Sequence, residues 1–263
     1  MLLAELETDL AAWLAASTLN GIARMEALST PPVSAAPLRI FDPPLLAVAE
    51  AADPLWARLK EAGVIGPGHR SPGEWLPGAR SVVSCFLPYS PAVRQANRGQ
   101  GPTATEWLYG RWEGERCNAA LAGRMEQALR AAGARAVAPM ADPRHQVVQS
   151  RSNWSERHAA FIAGLGTFSL SRSLITRRGS AGRLCSVVTD ALLEPTPRAY
   201  LGVTEYCSGC GDCMERCPPG AIGPSGKDNR LCKIYLDETL ALYQPRYGCG
   251  KCQTGVPCEA GIP

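Results

Sequence analysis

The residues that most clearly indicate chemistry are cysteines near the C-terminal end of the sequence. From Cys207 to Pro218 the chain reads C-S-G-C-G-D-C-M-E-R-C-P, which is the pattern C-x2-C-x2-C-x3-C-P. Cysteines spaced in this way bind one [4Fe–4S] cluster through the first three thiolates, and the fourth, which precedes proline, ligates a neighbouring cluster. The run therefore predicts one-electron transfer, and it predicts that the chain supplies further cysteines for a second cluster.

Further cysteines do follow, and together with the run they supply the eight thiolates that two cubanes require. They are Cys232, Cys249, Cys252 and Cys258. The spacing predicts that one cluster is held by Cys207, Cys210, Cys213 and Cys258. It predicts that the other is held by Cys217, Cys232, Cys249 and Cys252. The alternatives are zinc and disulfides, but zinc sites favour paired C-x2-C units and disulfide frameworks suit small secreted chains.

The sequence contains 11 cysteines, and three of them lie outside this group. Cys85 and Cys185 lie in apolar segments that we expect to be strands, and Cys117 lies on an alanine-rich segment that we expect to be a helix. Free cysteine is among the most frequently buried residue types. We therefore expect these three to pack in the core and assign them no ligand role.

Length and composition indicate how many domains the chain can form. With 263 residues, 46% of them hydrophobic, the chain can bury one substantial core with a small appended domain. We expect a cofactor and substrate domain over 1–198 and a two-cluster domain over 199–263. The net charge of +3 is too small to indicate nucleic acid by itself.

The sequence also bears on the compartment. Its first ten residues lack a basic region, and no apolar run is long enough to cross a bilayer. Thiols that bind iron need reducing surroundings. We therefore expect a cytoplasmic protein with no membrane partner.

Hydrophobic spacing, together with glycine and proline positions, predicts the elements that hold these sites. Helices are expected over 2–17, 54–63, 107–132 and 153–162, the last opened by a capping box from Asn153 to Glu156. Strands are expected over 80–87 and 135–138, and 174–176 with 184–189 has the pattern of a hairpin. A proline-rich connector is expected over 29–44, and the loop 88–105 is long enough to have a functional role. Strand, helix and strand in succession indicate an α/β unit.

Three segments carry a resemblance to a known family. The segment 156–169 reads E-R-H-A-A-F-I-A-G-L-G-T-F-S, residues 229–232 read N-R-L-C, and residues 247–253 read Y-G-C-G-K-C-Q. Together they resemble the epoxyqueuosine reductase family and, more distantly, the reductive dehalogenases. The resemblance implies an α/β (α+β) fold, in which a nitroreductase-like cobalamin-binding domain precedes a C-terminal bacterial dicluster ferredoxin-like domain. It covers about residues 150–258 and is only topological before them.

The chain also departs from that family at several positions. Ser150 stands where the family has an acidic proton donor, and serine lacks the acid strength of a carboxyl group. Ser169 and Leu170 replace a Gly-Lys pair, and the sequence ends at Pro263. These departures lead us to expect a short paralogue without the C-terminal repeat domain, acting on a small molecule, with tRNA not expected as a partner.

A basic segment is the expected place of the organic cofactor. From Arg157 to Thr189 the chain has five arginines and no acidic residue. Arginine can pair with a phosphate or carboxylate, and glycine lets the backbone approach a large ligand closely. A solvated hairpin face is the alternative, and the resemblance favours the cofactor. The predicted cofactor contacts are Gly164, Gly166, Thr167, Ser169 and Arg172.

The candidates for proton transfer are His158 and Tyr109. His158 lies on the helix that enters the A-G-L-G turn, and Tyr109 follows the long loop. A partly exposed helix histidine and a core aromatic residue are the alternatives. The absence of a D-x-H-x-x-G motif indicates that a corrinoid here would not use that histidine-ligated mode.

Together these patterns favour an iron–sulfur reductase that is related to epoxyqueuosine reductase. An electron donor such as ferredoxin or flavodoxin would feed one cluster, and the other would reduce a bound cobalamin that acts on a small substrate. An alternative is a dicluster electron-transfer protein that reduces a partner corrinoid or flavoprotein and has no organic substrate of its own. A third possibility is flavin in place of the corrinoid.

Overall fold

The chain folds into short strands and helices, with one long helix packed against a central four-stranded sheet. The computed structural model describes residues 3–28, 37–149 and 151–263. The helices are α1 (Leu3–Ala16), α2 (Leu55–Arg58), α3 (Pro72–Trp75), α4 (Pro91–Ala96), α5 (Thr105–Ala131), α6 (Glu156–Ile162), α7 (Asp212–Glu215) and α8 (Asn229–Tyr243). The strands are β1 (Gly21–Ile22), β2 (Leu38–Arg39), β3 (Leu45–Glu50), β4 (Ser81–Pro88), β5 (Ala136–Val137), β6 (Val147–Val148), β7 (Arg151–Ser152), β8 (Gly166–Phe168), β9 (Leu174–Thr176), β10 (Gly182–Thr189), β11 (Ile222–Gly223) and β12 (Gly226–Lys227).

A four-stranded sheet in the order β3-β4-β10-β5 forms the centre of the larger part of the chain. Its neighbouring strands are all antiparallel, and Cys185 of β10 lies opposite Cys85 of β4. The expected strand at 80–87 is confirmed as β4, whereas the expected strand at 135–138 has only two residues. The α/β unit is confirmed only in element order, because β10 lies between β4 and β5.

Two apolar cores cover the two faces of this sheet, because side chains alternate along each strand. On one face, α1 and α5 pack against β3, β4 and β10, and this core contains Cys85, Cys117 and Cys185. The packing role expected for these three cysteines is confirmed. On the other face, α6 and three tryptophans form the second core. The sheet therefore lies between two packed layers.

The predicted helices agree with the structure best where the helical pattern of apolar residues extends over many residues. The helices expected at 2–17 and 107–132 are confirmed as α1 and α5. The helix expected over 54–63 is wrong in extent, because α2 stops at Arg58 and turns follow. The loop expected at 88–105 contains α4, whose first turn is capped by Ser90 through a hydrogen bond from Val93 N.

The capping box predicted at Asn153 is wrong. The helix α6 begins only at Glu156, after Ser155. The Asn153 amide is used elsewhere, since its Oδ1 accepts from Gln146 N at 3.0 Å and its Nδ2 donates to Arg144 O at 2.8 Å. These bonds fix the loop before α6.

The hairpin predicted from 174–176 and 184–189 is also wrong. The strand β9 pairs with β8, and β10 joins the central sheet instead. The physical reason is burial, because the residues of β10 from Cys185 to Thr189 are all buried and need partners on both edges. Of the connector expected over 29–44, residues 29–36 lie outside the described residues, and β2 occupies part of the remainder.

The C-terminal segments have a small core of their own. It consists of Cys213, Ile222 and Val256, and Leu170 packs against it. Helix α8 begins after Asp228, whose carboxylate accepts hydrogen bonds from Arg230 N and Leu231 N. The domain division at residue 198 stays a prediction. None of the described helices is both long and apolar enough to cross a membrane.

Candidate cofactor cavity and cysteine centres

A cavity of about 590 Å³ is the main candidate binding site. It lies between α5, β10, the first turn of α6 and the C-terminal cysteine segments. Aromatic side chains of Phe86, Tyr89, Trp107 and Trp154 contribute to its walls. Its volume is within the range of ligand sites, and mixed aromatic and polar walls are typical of them. We call it the large cavity.

Four cysteines form one wall of the large cavity. We call them the inner cysteines, and they are Cys217, Cys232, Cys249 and Cys252. Gly250, between the last two, has φ of +68° and passes so close to Trp107 that a Cβ there would lie 2.0 Å from the indole Cε2. The loop therefore needs glycine both for its backbone conformation and for its approach to α5.

The other four cysteines of the predicted clusters line a separate, small pocket. We call them the outer cysteines, and they are Cys207, Cys210, Cys213 and Cys258. Cys210 is exposed, whereas Cys213 is buried. The Ser180 hydroxyl, in the wall of the large cavity, donates to Cys258 Sγ at 3.8 Å. The small pocket thus reaches the surface at one end and the edge of the large cavity at the other.

Each predicted ligand set therefore lines one pocket, and cluster binding by the two sets stays a prediction. In the described ranges, no three His, Cys, Asp or Glu side chains form a group that could hold a metal ion. A cubane distributes its four thiolates over four iron atoms, so it needs a wider arrangement than a single ion. Ala221 N donates to Cys217 Sγ at 3.2 Å, a contact of the kind that tunes cluster sulfurs.

Four basic side chains line the large cavity, namely Arg111, Arg157, Arg183 and Lys227, against two acidic ones, Glu115 and Glu156. Arg157 makes no hydrogen bond or ion pair with any described residue. Its side chain is accessible although many protein atoms surround it, as expected for a group that projects into an internal cavity. Burial lowers the pKa of Arg157, and the neighbouring Cys252 partly offsets this effect.

Glu156 is the most strongly perturbed acid in the large cavity. Both carboxylate oxygens are buried and have no hydrogen-bond partner among the described residues. Burial raises the pKa of Glu156 to about 7, although the nearby Ser186 and Trp154 groups offset part of that rise. A carboxyl group with this pKa carries a proton for part of the time at neutral pH.

His145 is the histidine that the structure places in the large cavity. Its Nε2 lies 2.9 Å from Ser152 Oγ, and that hydroxyl donates to Trp154 O. Because the hydroxyl proton is used in this way, Nε2 of His145 is the donor to Ser152. Burial lowers the pKa of His145.

The two residues predicted for proton transfer do not line the large cavity. Nδ1 of His158 is bound to Ser155 Oγ at 2.8 Å, and burial, with Arg157 nearby, lowers its pKa to about 4. Tyr109 is buried, and its hydroxyl accepts from Glu26 N at 2.9 Å. Both have structural contacts that account for their positions, and their catalytic roles stay predictions.

The five residues predicted to contact the organic cofactor also lie outside the walls of the large cavity. A Cβ on Gly166 would lie 1.9 Å from Ile175 O, so this glycine allows β8 to approach β9. Gly164 approaches Thr196 O, and Thr167 Oγ1 accepts from Tyr206 N at 2.8 Å. Ser169 lines the small pocket. Arg172, three residues later, has a left-handed backbone conformation with φ of +60°. Their cofactor role stays a prediction.

From the sequence, Arg111 and Tyr109 were expected to face the pocket, and of the two only Arg111 lines the large cavity. His145 and Glu156 were missed as cavity residues. They come from the loop before β6 and from α6, and only the folded chain brings them together. No local motif marks such a grouping. Ser150, expected at the position of the family's acidic donor, lies outside the described residues.

The curated proteins that this chain resembles in sequence are epoxyqueuosine reductases. No family model matches the chain. The chain is similar in sequence to curated epoxyqueuosine reductases, for example 25% identical to that of Bacillus cereus over 199 residues. That match covers 71% of this chain and 50% of the relative, so the chain spans about half the length of the curated relatives it matches.

Solved structures show the same fold. An epoxyqueuosine reductase bound to a tRNA-Tyr stem loop superposes with a TM-score of 0.54 at 19% identity, over 97% of this chain and 66% of the other. A reductive dehalogenase, whose structure suggests a mechanism for B12-dependent dehalogenation, gives a TM-score of 0.52 at 15% identity, over 94% and 36%. The resemblance read from the sequence is confirmed.

Proposed function

We propose that this homologue of the epoxyqueuosine reductases is a corrinoid-linked reductase fed by single electrons through two [4Fe–4S] clusters. One observation carries the proposal: the four inner cysteines form a wall of the same cavity that is large enough for part of an organic cofactor. A cluster held there would lie against the bound cofactor with no protein layer between them. Similarity to reductases, one of them described as B12-dependent, supports the same assignment.

The walls of the large cavity fit a ligand that is rich in amide groups. Buried atoms without partners include donors on Arg111 and Arg183 and an acceptor on Asn118. Each buried polar group left unpaired costs about 1–3 kcal/mol, so a ligand that pairs with such groups gains affinity. The corrin rim carries amides that both donate and accept. On this chemistry the residues present fit a corrinoid.

The exposure of the two cysteine sets suggests the direction of electron flow. Cys210 is exposed, so a cluster on the outer cysteines would accept electrons from a donor such as ferredoxin or flavodoxin. A cluster on the inner cysteines would then deliver them to the large cavity. Under this proposal the larger part of the chain is the nitroreductase-like domain, and residues after 198 form the ferredoxin-like domain.

A bound corrinoid supplies reduced cobalt as the reacting centre, and the chain supplies the surroundings. Arg157 lies near Cys232 and Cys252 and, with Lys227, would offset the negative charge of a cluster bound there. Glu156 holds a proton within the cavity wall near neutral pH, and His145 donates a hydrogen bond that fixes Ser152 at the rim. The aromatic walls keep water away from the reacting centre.

The proposal covers two classes of substrate, a small molecule and a nucleic acid. The expectation that tRNA is not a partner gains no support, because a structure that shares this fold is bound to a tRNA stem loop. Both an epoxyqueuosine-containing stem loop and small halogenated or epoxide compounds are therefore the substrates to test.

The central experiment is anaerobic reconstitution followed by titration with hydroxocobalamin. We expect about eight irons per chain and an absorption change typical of base-off cobalamin. C249A should lose about half of the iron, whereas C85A, which removes a core thiol, should lose none. A preparation without iron, or one filled with zinc, would overturn the proposal. Two clusters without a cobalamin response would favour an electron-transfer protein, or flavin if flavin binds instead.

A further inference from the structure

We propose that Arg111 and Arg183 form a binding site for an anionic group, a phosphate or a carboxylate, where α5 meets β10 in the large cavity. This inference goes beyond the reductase assignment, because it concerns the charge that the occupant of the cavity must carry. It rests on the positions, contacts and charge balance of these two side chains.

The two arginines lie side by side with unused hydrogen-bonding capacity. Arg183 Nη2 lies 3.5 Å from the carbonyl oxygen of Arg111. The Nε atoms of both are buried without hydrogen-bond partners among the described residues. The guanidinium of Arg111 lies over the Tyr247 ring, 4.3 Å from its centroid, and donates no hydrogen bond to any described residue. The Arg111 guanidinium and the Nε of Arg183 are therefore buried without the acceptors that such donors require.

The local charge is not balanced. Glu115, which also lines the large cavity, is the carboxylate paired with Arg183, and its side chain is 52% exposed, so one carboxylate stands against two guanidinium groups. No carboxylate of the described residues pairs with Arg111 or Arg157. Burial and the proximity of Arg111 lower the pKa of Arg183, which is the effect expected where positive charges crowd together.

A cluster on the inner cysteines does not account for this excess charge. The arginine that faces Cys232 and Cys252 is Arg157. Lys227 also lies near Cys252. The inner cysteines therefore have two cations of their own, while the Nε atoms of Arg111 and Arg183 stay without acceptors.

The chemistry of the guanidinium group defines the class of ligand. Its planar array of donors matches the two oxygens of a carboxylate or phosphate. Two sources supply such an anion, namely the phosphodiester in the nucleotide tail of a complete corrinoid and an anionic group of the substrate. Both use the same pair of side chains, and they are separable by experiment.

The test measures binding of inorganic phosphate to the cluster-loaded, corrinoid-free chain by isothermal titration calorimetry. R183Q should weaken phosphate binding at least tenfold. E115Q should strengthen it, because this change removes the carboxylate that competes for Arg183, and a variant that gains affinity cannot be dismissed as misfolded. R178Q is the matched control, because Arg178 pairs with Asp42 outside the large cavity, and it should leave phosphate binding unchanged.

A second arm compares cobalamin with cobinamide, a corrinoid without the nucleotide phosphate. If R183Q weakens binding of cobalamin but not of cobinamide, the anion is the phosphate of the cofactor. If both corrinoids bind R183Q as they bind the wild type while phosphate binding is lost, the anion belongs to the substrate. Absence of phosphate binding by the wild type, or affinities unchanged in both R183Q and E115Q, would overturn the inference. The phosphate arm needs no corrinoid, so its failure is distinct from failure of the reductase proposal.

Discussion

The hydroxyl of Ser180 lies 3.8 Å from Sγ of Cys258, and the same serine lines the large cavity. It is the point at which the outer cysteines approach the site proposed for the organic cofactor. Its carbonyl accepts from Gln253 Nε2 at 2.7 Å and its amide donates to Cys258 O at 2.8 Å, so its position is fixed on both sides.

Removing the Ser180 hydroxyl should change the reduction potential of a cluster bound by the outer cysteines. Hydrogen bonds to cluster sulfurs are among the factors that set the reduction potential. They stabilise the more negative, reduced state, so S180A should shift the potential of the outer cluster to a more negative value. A redox titration followed by electron paramagnetic resonance measures this shift. S180T should retain the wild-type value, and a positive shift or none in S180A would contradict the assignment.

The division of the cysteines can be tested with paired variants. C258A should disrupt the outer cluster and C232A the inner one, because each change removes one ligand from one set. Iron content should fall to about half in each, and their spectra should be complementary. C117A, which removes a thiol from the core, is the control. If C258A loses the spectrum that C232A is expected to lose, the ligand sets are wrong.

Glu156 should make the stability of the protein depend on pH. Burial raises its pKa from 4.5 to about 7, so between these values the folded state holds a proton that the unfolded chain releases. The free energy of unfolding should therefore fall as pH rises through this range. The ionisable neighbour on β10, Cys185, has a pKa raised well above its ordinary value, chiefly by its hydrogen bond to Cys85 and by burial, and remains neutral there.

The matching variant is E156Q, which carries no charge at any pH. It should be more stable than the wild type at pH 8 by up to about 3 kcal/mol, since one pKa unit corresponds to about 1.4 kcal/mol. The two proteins should approach each other in stability near pH 5. Anaerobic denaturation at both pH values measures the difference. E215Q, a change at an exposed site, is the control, and an equal difference at both pH values would contradict the burial of the charge.

Gly250 should be intolerant of substitution. In G250A the new Cβ would overlap the Trp107 indole, and φ of +68° disfavours any residue with a side chain. We expect loss of the inner cluster, measured by iron content, and a lower unfolding temperature. G123A is the matched control, because a Cβ there meets nothing within 4 Å on helix α5. It should stabilise the protein by about 0.5–1 kcal/mol.

Parts of this architecture were predictable because they depend on short-range patterns. Each of the two cysteine sets predicted from spacing lines one pocket, and the helical pattern of apolar residues predicted the ends of α5 to within two residues. The pairing of β10 was not predictable from neighbouring residues, because its partners β4 and β5 are distant in sequence. The same applies to the cavity, since the burial that raises the pKa of Glu156 is supplied by the folded chain as a whole.

The exposure of Cys210 has a practical consequence for handling the protein. A cluster on the outer cysteines would have one corner at the surface, open to dioxygen and chelators, whereas each inner cysteine is partly buried and their loop packs against Trp107. Damage in air should therefore proceed in order, with the outer iron lost first and the inner iron persisting. A partly bleached sample would then retain the half of the metal that borders the large cavity and lack the entry point for electrons.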